Sequence, residues 1–300
     1  MPIVIQSCIG YIGIKYIIRL NNRFLITSYT KKYCSNYKNF NVKNEFRQHA
    51  RDNTSRRKAE KYLTPELRSI LYQNTDSIRD ELLLKNASDL GLRTSENQGL
   101  VLNDFYLGKT RHDGLKTLWL QMNTNLHQME FDFYLQGQFV KAPPNEGGSG
   151  KGRTLKISRD LLFRMEEYYK KERPETNKTD ALLLNTDTGH NPGRIATYTG
   201  SRKFAQVRKK VLKLQEAGLL DQEGQKLDED HTYHILRHSF GTDKFYAFCK
   251  ENNIRYQDAT VTSSAYLAVA RLLGHTTAGK FAAQTTREYI RGCDIKKKYP

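Results

Sequence analysis

The stretch "YHILRHSFGT", residues 233–242, carries the reading of this chain. His234 and Arg237 stand three apart, and His238 follows the arginine directly. On a helix that begins near Tyr233 the three side chains share one face, because surface neighbours on a helix are three and four positions apart. Two imidazoles and a guanidinium facing one way make a poor core and a good anion site. The composition narrows the choice of anion. Lys plus Arg number 49 against 32 Asp plus Glu, a formal charge of +17 over 300 residues. A balance that far from zero calls for a polyanionic partner, nucleic acid ahead of an anionic membrane.

The length fits one large domain or a small one followed by a medium one, and 38% hydrophobic residues supply a core. The four cysteines, Cys8, Cys34, Cys249 and Cys293, are far apart with no CxxC pair. They read as reduced thiols of a cytosolic protein, with no metal site. The opening run "PIVIQSCIGYIGIKYII" is slightly short for a membrane span and is interrupted by Gln6 and Lys15. It also lacks a basic start and a cleavage site, so it is expected to be a buried helix and not an anchor.

Texture divides the rest. Residues 1–60 predict a partial helical DNA-binding region, ending in the basic run "KNEFRQHARDNTSRRKAEKY" as linker or solvated helix. Residues 61–300 then form one domain. "LTPELRSILYQN" carries a helix start, with Thr64 as cap, Pro65 in the first turn and Glu66 behind it. Helical periodicity continues through "SIRDELLLKNASDLG". "MEFDFYLQGQFVKA" and "RTLKIS" read as strands joined across the loop "PPNEGGSGKG", a hairpin with an open tip. From "SRDLLFRMEEYYKKER" onward the pattern is chiefly helical. The expected fold is mainly α with a small antiparallel β-sheet, an α+β arrangement.

Four segments carry residues suited to chemistry: "GLRTSENQGLVLNDF" with Arg93 and Glu96, "GGSGKGR" with Lys151, the opening motif, and "LLGHTTAGKFAAQTTREYI" with His275 and Tyr289. Arg93 and Glu96 at i, i+3 also satisfy the pattern of an ordinary helix ion pair. In combination, over roughly residues 61–291, "GLRTSE", a glycine-flanked lysine before a strand, "HILRHSFGT", "LLGH" and "TTREY" resemble the tyrosine recombinases, the phage-integrase family.

That resemblance implies a tyrosine-recombinase-like catalytic domain and a role for each residue. Tyr289 would attack a DNA phosphate, leaving a 3′-phosphotyrosyl bond and a free 5′-hydroxyl. Arg93 and Arg237 would grip the non-bridging oxygens, and His234 and His275 would orient and hydrogen-bond the phosphate. Lys151 would protonate the departing oxygen, with Lys141 in "QFVKAP" as the alternative. Glu96 would hold the first arginine and His238 would support the site. It further implies no cofactor and no metal, double-stranded DNA as partner, a homotetramer on two duplexes with an optional DNA-bending protein, and a cytoplasmic, nucleoid-associated location in a bacterium. The chemistry is coherent. Fixed donors aimed at the equatorial oxygens dominate phosphoryl transfer, and a guanidinium can bind two oxygens and stays charged. A phosphotyrosine conserves the bond energy, in keeping with the lack of a GxxxxGK[ST] loop. A lone type IB topoisomerase-like enzyme and an inactive DNA-binding relative are the alternatives.

Two features depart from the family's spacing. An extra segment containing Trp119, with Leu115, Leu118 and Met122 at helical spacing, separates Arg93 from Lys151 and predicts an added packed helix. The interval from His275 to Tyr289 is about five residues longer than the family's usual interval. Residues 1 to about 50 supply only part of the expected DNA clamp, and "IRGCDIKKKYP" after Tyr289 is too short for a long docking helix.

Overall fold

The computed structural model describes residues 6–9, 14–20, 23–26, 61–105, 114–124, 130–134, 154–186, 192–220, 223–260, 262–275, 286–287 and 292–298. The chain divides into two compact units, Met1–Lys58 and Ala59–Pro300.

The first unit contains a three-stranded antiparallel sheet in the order β1-β2-β3: Gln6–Ile9, Ile14–Leu20 and Arg23–Ile26. Gln6 pairs with Ile17 and Ile9 with Ile14; Ile17 then pairs with Ile26 and Leu20 with Arg23. The expectation of a buried helix here, and of a helical region across residues 1–60, is therefore corrected for Gln6–Ile9, Ile14–Leu20 and Arg23–Ile26. A continuous apolar run does not distinguish helix from strand by periodicity. The deciding features are its isoleucines and tyrosines, which favour a pleated surface.

The described residues are mostly helical with little sheet. In the second unit, Thr64 caps α1 (Pro65–Gln73) by accepting from the Leu67 N–H at 3.3 Å, with Pro65 in the first turn. This satisfies one of the orphan donors of a helix start. Ser77 does the same for α2 (Ile78–Asp89), accepting from Asp80 N at 3.2 Å. After α3 (Thr94–Gly99) come a 3₁₀ turn at Leu102–Asp104 and α4 (Gly114–Thr124), the helix predicted around Trp119. Leu115, Leu118 and Trp119 are buried, and the indole N–H donates to Leu162 O at 3.0 Å.

Strand β4 (Glu130–Tyr134) pairs antiparallel with β5 (Thr154–Ser158), from Glu130↔Ser158 to Tyr134↔Thr154. The tip between them, with Lys141 and Lys151, lies outside the described residues. Helix α5 (Arg159–Lys171) starts directly from β5, Ser158 capping Leu161 N at 3.3 Å. Then follow α6 (Thr199–Glu216), α7 (His234–Glu251), α8 (Ser264–Leu273) and the short α9 (Cys293–Lys298). No helix among the described residues is long and apolar enough to cross a membrane.

Helix α2 is the spine of this unit. Leu82 and Leu83 enter an apolar cluster with Phe105, Trp119, Leu162 and other residues of α4, β5 and α5. Leu84 and Ala87 face a second cluster with Leu71, Phe204, Val211 and Leu236. A third, around Phe245, Val269, Leu273 and Cys293, joins α7 to α8 and α9. Both faces of α2 are thereby covered, and α7 is packed against it and against α8. The start of α7 is held from both sides.

Leu82→Ala is expected to cost about 2–5 kcal/mol, the range for emptying a fully enclosed leucine site. Its urea midpoint should fall with the slope unchanged; a midpoint equal to that of the unsubstituted chain would remove α2 from the centre of the core.

Candidate active site

The motif at residues 233–242 begins a helix where its spacing predicts. Helix α7 runs from His234. The rings of His234 and His238 meet edge to face, centroids 5.0 Å apart. Arg237 turns inward, with its side chain only 1% exposed. Its Nη1 donates to Gly91 O and its Nη2 to Leu273 O. Glu96 Oε2 lies 3.5 Å from Nη1 and His275 Nε2 lies 3.4 Å from Nη2. One guanidinium thus ties the start of α7 to the loop before α3 and to the end of α8.

Two glycines make this possible. Gly91 has φ +65, a region that side chains disfavour, and a Cβ there would sit 2.5 Å from the Phe240 ring. Gly274 closes α8 in the left-handed conformation, φ 63. It leaves Leu273 O facing Arg237 and turns the chain so that His275 N donates to Ala270 O at 2.8 Å.

Glu96 is the hinge of the cluster. Its carboxylate accepts from Arg93 N at 2.8 Å and from Arg93 Nη1 at 3.0 Å, and it also faces Arg237. Two guanidiniums share one buried carboxylate, so the group keeps a net positive charge. Arg93 is the more open of the pair, its side chain 25% exposed.

The histidines occupy different environments. His275 is buried, with Nε2 towards Arg237 and Nδ1 3.1 Å from Thr286 Oγ1. A guanidinium has only donors, so a neutral ring here would accept through Nε2 and carry its proton on Nδ1. His234 keeps surface open to the cleft, yet it is crowded by protein and by cations. Loss of water and then the charges of Arg237 and Arg93 lower its pKa from 6.5 to about 4. Near neutral pH it is an uncharged imidazole with one donor and one acceptor nitrogen.

Sequence reasoning missed Thr286 and a buried network behind the site. Thr286 lies inside the "TTREY" segment and is 1% exposed. Asn86 Nδ2 donates to Asn97 Oδ1 at 2.9 Å, and Asn97 Nδ2 reaches Leu83 O at 3.1 Å and Tyr233 Oη at 2.7 Å. Tyr233 Oη donates to Leu83 O at 2.8 Å. This chain of amide and phenol groups fixes α3, which follows Arg93, against the residue that precedes His234. A cavity of about 490 Å³ opens beside Arg93 and His234. Of the sequence-predicted residues, Arg93, Glu96, His234, Arg237, His238 and His275 all fall in this region. Tyr289, Lys151 and Lys141 lie outside the described residues.

No family model matches this chain, and no curated protein matches it. Solved structures do. The XerA recombinase crystal structure is similar at 16% identity, over 79% of this chain and 62% of that one, with a TM-score of 0.45. The Tn1549 transposon integrase in complex with transposon right end DNA is similar at 14% identity, over 80% and 66%, with a TM-score of 0.44. The same integrase with circular intermediate DNA gives 15% identity, 80% and 67%, and a TM-score of 0.42. These neighbours are recombinases and integrases. The chain spans less than two-thirds of the length of the first two.

Glu96→Gln leaves two guanidiniums around a neutral amide and is expected to cost about 3–5 kcal/mol, as for breaking a buried ion pair. Chemical denaturation checks it; a loss under about 1 kcal/mol, the worth of an exposed pair, would mean that the carboxylate does not hold the cluster. The lowered pKa of His234 also sets a sign. Stability that depends on its neutral ring is complete above pH 6.5 and is lost as pH falls towards about 4. His234→Gln should therefore lose less Tm than the unsubstituted protein over that interval, and equal losses would contradict the assignment.

Proposed function

We propose that this chain is a tyrosine-type DNA strand transferase, a site-specific recombinase or integrase that cuts and rejoins DNA through a 3′-phosphotyrosine. Its main support is the convergence of three separated segments: Arg93 and Arg237 share the buried carboxylate of Glu96, His275 reaches Arg237, and His234 borders the same cavity as Arg93. Residues spread over more than 180 positions meet at one positively charged site beside an open cavity.

In this reading the Tyr289 hydroxyl attacks phosphorus, the P–Oη bond forms and the P–O5′ bond breaks. Arg93, the more open guanidinium, faces the non-bridging oxygens, where charge accumulates in the transition state. Arg237 contributes charge from behind while its donors hold the two carbonyls that shape the site. A phenol with an unperturbed pKa of about 10 needs help to ionise. The uncharged His234 offers an accepting nitrogen, and its affinity for a proton rises when a phosphate offsets the neighbouring guanidiniums. His275, held between Arg237 and Thr286, presents a fixed ring. Lys151, or Lys141 in its place, protonates the leaving 5′-oxygen. Attack by a 5′-hydroxyl on the phosphotyrosine reverses the step without ATP.

The residues 59–300 unit would be the catalytic domain, acting as a homotetramer on two duplexes in a bacterial nucleoid, with a DNA-bending protein as optional partner.

The test uses nicked duplexes tiled from the ends of the element that carries the gene. The protein should give a covalent DNA adduct on a denaturing gel, and Tyr289→Phe should give none while still retaining DNA on a native gel. Arg93→Ala should lower the rate of adduct formation about 10²–10³-fold, the range for one transition-state donor. Adducts with Tyr289→Phe would displace the nucleophile. Retention without adducts for the unsubstituted protein would leave an inactive DNA-binding relative.

A further inference from the structure

The cavity beside Arg93 and His234 extends past the catalytic cluster to Arg208, which the proposed chemistry does not use. Arg208 projects from α6 and is half-buried. Among the described residues its hydrogen-bond partner is the carbonyl of His231, to which Nη1 donates, and no carboxylate pairs with it. Arg68, Arg79, Arg164 and Arg255, by contrast, each have one. A guanidinium has five N–H donors, so one carbonyl leaves most of its capacity for something else.

The carbonyl that holds Arg208 is itself fixed. His231 is buried and its Nδ1 accepts from Asp228 N at 2.9 Å, while Asp228 Oδ1 accepts from Asp230 N at 2.7 Å. The arginine is thus set in place before any ligand arrives, which lowers the ordering cost of binding. Around it the cavity mixes two surfaces. Ser201 and Thr232 bring hydroxyls, whereas Phe204, Ala205 and Tyr233 make an apolar floor. Tyr233 Oη is committed to Leu83 and Asn97, and the Phe204 and Tyr233 rings brace each other edge to face at 6.4 Å.

A volume of about 490 Å³ exceeds what a lone phosphate fills. Its chemistry fits an anion carrying an apolar body, continuous with whatever lies on Arg93. We propose that this cavity seats the sugar–phosphate unit next to the one being cut, with Arg208 on its phosphate and the deoxyribose against Phe204, Ala205 and Tyr233. This rests on the strand-transfer reading, and it assigns Arg208 to binding and register instead of bond breaking. A phosphate seated at Arg208 would fix which phosphodiester stands at Arg93.

Two measurements test it on the full chain. In the first, nicked duplexes carry a neutral methylphosphonate at each position flanking the cleavage point. For the unsubstituted protein one flanking position should raise the DNA concentration needed for adduct formation roughly 10–100-fold, the worth of one charge-assisted hydrogen bond. In Arg208→Gln that position should have no further effect, because the contact is already gone. In the second, duplex binding is followed against salt by fluorescence anisotropy. Arg208→Gln should reduce the slope of log affinity against log salt by about 0.9, one phosphate contact. Arg208→Lys should keep the slope, and Ser201→Asp, which leaves Arg208 and its His231 anchor untouched, should weaken binding even if Arg208→Gln folds poorly.

Adducts with undiminished methylphosphonate effects and an unchanged slope in Arg208→Gln would overturn the cavity assignment and leave strand transfer standing. A reduced slope without adducts from any duplex would support the backbone contact and reject strand transfer.

Discussion

A buried carboxylate between two guanidiniums is the constraint on which the site depends. Glu96 is withdrawn from water and holds Arg93 on one side and Arg237 on the other. Burying the Glu96 carboxylate and the Arg237 guanidinium is costly, and mutual attraction offsets that cost only when the remaining donors and acceptors are also matched. Here they are. Glu96 also takes the Arg93 backbone N–H, and Arg237 spends its other donors on two carbonyls and a ring nitrogen. The result is a fixed positive site in a low-dielectric setting, where preorganised charge acts most strongly on a developing anion.

The same contacts divide the labour between the arginines. Arg237 is enclosed and works as a cross-link between α7, the loop before α3 and the end of α8. Arg93, at the rim, is the one that meets solvent and the cavity. Behind both, the Asn86–Asn97–Tyr233 network sets the distance between the element bearing Arg93 and the one bearing His234. A constellation of functional groups needs such support, because small misplacements weaken it sharply.

Much of this was legible in residue order. The Thr64–Pro65 start of α1, the helix at His234 and the packed helix around Trp119 all follow from local pattern. The candidates Arg93, Glu96, His234, Arg237 and His275 were named by motif, and the structure brings them together. Missed were Asn97, Thr286 and Arg208, whose residue types carry no signal of their own. An asparagine in a helix and a threonine before a tyrosine become informative only when their partners are known. The β1–β3 segment failed for a related reason, since a run apolar on every side has no period to read.

By itself the sequence determined the helix starts, the one-sided grouping at residues 234–238 and the net charge of +17. These depend on neighbours within one or two turns, where periodicity and capping act. Only the tertiary structure decided that Arg237 faces inward, that Glu96 serves two arginines and that Arg208, with no carboxylate partner among the described residues, borders the same cavity. Those outcomes rest on contacts such as Arg237 with Gly91, 146 positions apart, and Arg237 with Leu273, 36 apart. Such pairings are set by how helices pack and where glycines let backbones approach, which no local pattern records.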